Sequence, residues 1–175
     1  MAIGFLCHDG VVLCADSRES DGYVTRNVDK LSAMLYLDPD SWGVAFAGAG
    51  EILDKFFDDA IDQIMKCNGR YDLVEIKHAV ERTLASYRRR FRGNPLRIIM
   101  GVFHRDKRQS LLFKSDGSAL SPISDYAQVG LGGALWEFLA FNLYHEDMGV
   151  KECAALGAFI LKRREKLGFV CSENS

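Results

Sequence analysis

Residues 1–30, MAIGFLCHDGVVLCADSRESDGYVTRNVDK, decide the fold. Residues 2–7 and 11–15 are short, almost uninterrupted apolar runs. The step His8-Asp9-Gly10 between them predicts a two-residue hairpin turn built on positive φ angles. Continuous apolar runs suit strands buried on both faces, because a half-solvated strand alternates polar and apolar side chains. The hairpin therefore belongs in the core. It delivers a carboxylate, Asp16, at its end and a lysine, Lys30, further along.

Several residues in this stretch resemble the opening of proteasome β subunits and their bacterial relatives, which are N-terminal-nucleophile hydrolases. They are Gly4, Asp9-Gly10, the run Val11-Val12-Leu13-Cys14-Ala15-Asp16-Ser17-Arg18, Gly22 and Val28-Asp29-Lys30. The loop before Lys30 is shorter than the family pattern. Further on, Gly43-Val44-Ala45-Phe46-Ala47-Gly48-Ala49-Gly50 is similar to the small-residue strand end that supplies an oxyanion-binding backbone amide in that family.

The resemblance implies a mechanism whose logic is elementary. An amino-terminal threonine carries its own base, since a free α-amine has a pKa of about 7.7–8.0 and can take the hydroxyl proton near neutral pH. A lysine beside the hydroxyl makes it more acidic, an aspartate holds the lysine charged and oriented, and a backbone amide stabilises the oxyanion. By the resemblance Asp16, Lys30 and Gly48 fill those three supporting positions. The threonine itself would stand immediately before Met1, and the sequence begins without it. Removal of Met1 would expose Ala2, which has neither hydroxyl nor thiol, and Ser17 and Cys7 have no α-amine at hand. The expectation is a proteasome-type homologue whose family activity is threonine-type peptide hydrolysis in a ring, inactive in this form. The alternatives are a non-catalytic ring or scaffold subunit, and an active peptidase whose true start lies upstream. A small-amide hydrolase of the same superfamily would need a terminal cysteine or serine, also missing. Two further departures stand out. Leu131 occupies the place of a Gly-Ser-Gly step. The chain also stops at Cys171-Ser172-Glu173-Asn174-Ser175, where the family continues into further strands, so an open sheet edge is expected.

Composition agrees with one domain over 1–175: 48% of residues are apolar and 26% charged, enough for a sizeable core. A net charge of −2 offers no global attraction to nucleic acid or to an anionic membrane. The five cysteines, at 7, 14, 67, 153 and 171, are odd in number and show no C-x-x-C spacing, which fits a reducing compartment. The first apolar run is broken by Asp9 and has no basic flank, unlike a signal peptide, and no stretch approaches membrane-spanning length. A cytoplasmic location is expected. His8, His78, His104 and His145 show no metal-ligand spacing, so neither metal nor cofactor is expected.

Along the remaining chain, residues 31–37 and 42–46 predict two more strands. Apolar positions then recur at helical spacing over 52–65 and, from the candidate cap Asp72, over 73–91. Residues 96–104 and 110–114 predict a hairpin and 124–129 another strand. Gly130-Leu131-Gly132-Gly133 lacks the third Rossmann glycine and a P-loop lysine, so it predicts a tight turn into a helix. A last helix follows to about 166. Strands, two helices, strands, two helices suit an α+β fold, a four-layer αββα sandwich. Arg88, Arg89, Arg90 and Arg92 sit at a helix end, where the dipole favours them. The helix from 133 to 144 has scarcely any polar face, and that surplus apolar surface predicts a homo-oligomer, a dimer or a ring.

Overall fold

The computed structural model describes residues 1–20, 25–37, 42–49, 52–67, 72–91, 96–130 and 133–166. The apolar run β1 (Ala2–Cys7) pairs antiparallel with β2 (Gly10–Ala15), in the register Ala2 opposite Ala15 and Cys7 opposite Gly10. Between them His8 and Asp9 form the two-residue turn, but not through positive φ. Among the described residues positive φ occurs at Arg108 (48°), Gly117 (102°) and Gly130 (92°). Gly10 is required for a different reason: a Cβ there would lie 2.6 Å from Val150 Cγ2. The turn is packed against the start of a helix.

β5 (Leu31–Leu37), β6 (Trp42–Ala49), β7 (Arg97–His104), β8 (Gln109–Ser115) and β9 (Ser121–Ile123) form a second, five-stranded antiparallel sheet in that order. The expected strand over 124–129 is present over 126–129. Ser121–Ile123 extends the five-stranded sheet, whereas β10 (Tyr126–Val129) pairs with β1 to complete a three-stranded sheet, β10-β1-β2. The chain changes sheets at Ser124 and Asp125, where the Leu6 amide donates to the Asp125 carbonyl (2.7 Å). Among the described residues two short strands, β3 (Arg18–Ser20) and β4 (Thr25–Asn27), pair with each other and with no further strand. Their polar residues carry no apolar period, so nothing in the sequence marked them.

Helices cover both outer faces. α1 (Leu53–Met65) and α2 (Leu73–Arg90) pack on the five-stranded sheet through a core that includes Phe46, Phe56, Leu84, Ile98 and Met100. Asp72 caps α2 by accepting from the Glu75 amide (2.8 Å), and Tyr87 Oη donates to Asp59 Oδ2 (2.7 Å), tying the two helices together. α3 (Gly133–Leu143) and α4 (Val150–Lys166) lie on the three-stranded sheet, over Ile3, Phe5, Cys7 and Val12. A third core, with Ala2, Ala47, Ile99, Leu112 and Val129, sits between the sheets. The sheets approach closely where glycine allows it: a Cβ on Gly101 would fall 2.6 Å from Val11 Cγ1. The result is a four-layer αββα sandwich.

α4 is anchored by the turn it covers. Asp9 Oδ1 accepts from the Val150 amide (2.8 Å), and the His8 amide donates to the Met148 carbonyl (3.2 Å). A carboxylate at a helix N-terminus satisfies an otherwise orphaned amide and complements the dipole. At the other end, the expectation about the carboxyl-terminal strands falls on 167–175, outside the described residues. Among the described residues β2 has no neighbour on its outer edge. Beside that edge a cleft of about 560 Å³ opens, lined by Val11, Leu13, Leu31, Ala33, Val102 and Phe103 among others.

Candidate functional site

The hairpin register builds one side of the site. The Asp16 amide donates to the Met1 carbonyl (3.1 Å), so Asp16 stands opposite Met1 at the end of the three-stranded sheet. The other side comes from the five-stranded sheet, where Lys30 immediately precedes β5. Its backbone is held by the Gly48 amide, which donates to the Lys30 carbonyl (3.1 Å), and the Val28 amide donates to the Ser17 carbonyl (2.8 Å). The lysine side chain then bridges the sheets: Nζ lies 2.5 Å from Asp16 Oδ1. The Met1 α-ammonium lies 3.0 Å from the other oxygen, Oδ2.

These groups are sequestered from water, with Lys30 only 6% exposed and the Asp16 side chain 12%. Burial opposes ionisation of Asp16 and is the largest single influence on it. The hydrogen bond from Lys30 and the charge and hydrogen bond of the α-ammonium together outweigh that burial, so the carboxyl is held below its ordinary range. The short contact with the carboxylate keeps the lysine oriented. A hydroxyl placed beside that ammonium would ionise more readily, as its anion would be stabilised.

The structure thus brings Asp16 and Lys30 into direct contact. Gly48 joins them through its backbone, and its amide is occupied by the Lys30 carbonyl. A Cβ on Gly48 would lie 2.5 Å from Leu53 Cδ2 and 3.1 Å from the Arg97 carbonyl oxygen, so the start of α1 and the neighbouring strand demand a glycine there. The side chains of Arg18 and Leu131 lie outside the described residues. The α-ammonium as a third member of the cluster escaped sequence reasoning. The pairing of Met1 with Asp16 that follows from the hairpin register was the available signal.

Other residues singled out in the sequence belong to packing. Cys7 is buried beside Cys153, and burial raises both thiols above their ordinary range. His104 is buried with its ring 4.5 Å from that of Trp42, and its Nδ1 accepts from the Lys107 amide (3.3 Å). Arg88, Arg89 and Arg90 are exposed in the last turn of α2. Gly130, at φ 92°, makes the turn towards α3. Among the described residues no group of three or more His, Cys, Asp or Glu is placed to hold a metal ion. Nor is any helix among them long and apolar enough to cross a membrane.

Comparison with known proteins adds an independent line. The chain is 28% identical over 168 residues to proteasome subunit beta 2 of Pyrobaculum neutrophilum, covering 92% of this chain and 78% of that protein. Its fold is similar to that of Anbu, an ancestral beta-subunit, from Yersinia bercovieri, with a TM-score of 0.81 at 11% identity over 94% of this chain and 74% of that one. It is also similar to the Anbu complex of Pseudomonas aeruginosa, solved as a helical assembly, with a TM-score of 0.69 at 12% identity over 94% of this chain and 74% of that one. The model of the family described as proteasome subunit matches residues 1–166. With that match spanning every described strand and helix, the chain belongs to the proteasome subunit family.

Proposed function

We propose that this chain is a proteasome-type N-terminal-nucleophile hydrolase domain whose Asp16–Lys30 pair is arranged to serve a hydroxyl nucleophile immediately before Met1. In the form that begins at Met1 it does not hydrolyse peptides and acts as a subunit of a homo-oligomer in the cytoplasm. One observation carries the reading. Lys30 Nζ is 2.5 Å from Asp16 Oδ1, across the gap between the two sheets. A residue added before Met1 would start from a nitrogen 3.0 Å from the carboxylate that holds this lysine. Gly48 supports the pair through its bond to the Lys30 backbone, and an oxyanion role for its amide would share an N–H that already has an acceptor.

The assembly part of the proposal rests on the outer helical layer. Phe138 and Phe141 are 64% and 79% exposed on α3, and Phe159 is 40% exposed on α4. Contiguous exposed apolar surface marks an interface, and Phe138 and Phe141, three residues apart on one helix, are neighbours on its surface. The Anbu complex of Pseudomonas aeruginosa was solved as an assembly, which supports the same direction.

The test compares two forms of the protein. The Met1 form should neither cleave fluorogenic peptides nor be labelled by threonine-directed epoxyketones or boronates. A form with threonine placed before Met1, freed by a cleavable fusion, should be labelled at that threonine, and Lys30→Met should abolish the labelling. Labelling of the Met1 form at its amino terminus would overturn the inactive reading. A folded threonine form that stays unlabelled would leave the scaffold role and remove the site assignment.

A further inference from the structure

We draw no further inference here: the strongest candidate, the apolar cleft of about 560 Å³ between the outer edge of β2 and the β5–β6 face, carries nothing because nothing in the structure shows what covers it.

Discussion

Asp16→Asn is the most informative single change, because it removes one charge from a buried cluster and keeps the shape. In the native protein the carboxylate is contacted by Lys30 Nζ at 2.5 Å and by the α-ammonium at 3.0 Å, with both side chains of the Lys30 pair at most 12% exposed. Neutralising it leaves the Lys30 ammonium and the α-ammonium facing an amide in a place that water reaches poorly. Removal of one partner of a buried ion pair costs about 3–5 kcal/mol. For a chain of 175 residues, 3 kcal/mol corresponds to a fall in Tm of roughly 6–12 °C. The loss also depends on pH with a definite sign. The folded carboxyl is held below its unfolded value, which is about 3.9. Its contribution is therefore fully present above that unfolded value and is lost as pH falls through the folded one. Urea unfolding of native and Asp16→Asn proteins from pH 2 to 7 should give two curves well separated at pH 7, whose separation narrows as pH falls below the unfolded carboxyl value of about 3.9. Lys30→Met in the Asp16→Asn background should recover part of the loss, since it removes the lysine charge whose partner was neutralised. A difference under about 1 kcal/mol at pH 7, the scale of an exposed pair, or one that does not narrow in acid, would refute the argument.

Three further outcomes follow from the packing. Gly101→Ala puts a methyl where only 2.6 Å separates it from Val11 Cγ1, so unfolding should show a loss of about 1–3 kcal/mol, partly restored by adding Val11→Ala. Asp9→Ala removes the acceptor of the Val150 amide. It should cost about 0.5–2 kcal/mol and speed hydrogen exchange in the first turn of α4 ahead of the rest of that helix. Phe141→Lys, at a position 79% exposed, should dissociate the assembly in light scattering without unfolding the domain; a native protein that is a stable monomer at micromolar concentration would remove the proposed interface.

Some of this protein is determined by local chemistry and so is present in the sequence alone. The apolar runs at 2–7 and 11–15 predict paired strands, the 3.6-residue period of α1 and α2 predicts their buried faces, and Asp72 predicts a helix start that its bond to the Glu75 amide provides. The order of elements led from there to four layers. Tertiary structure decided the rest, because each remaining feature depends on a partner distant in the chain. Gly10 is a glycine for the sake of Val150, not for its φ, and no local rule links those positions. Ser121–Ile123 and Tyr126–Val129 lie almost side by side in sequence yet join different sheets, a choice made by β8 and β1. In the site, the resemblance pointed to Asp16 and Lys30, but their contact exists because two sheets stack and bring the end of one against the start of β5. The occupied amide of Gly48 was out of reach in the same way. That bond joins Gly48 to the residue just before β5, so it depends on the register that β5 and β6 adopt against each other.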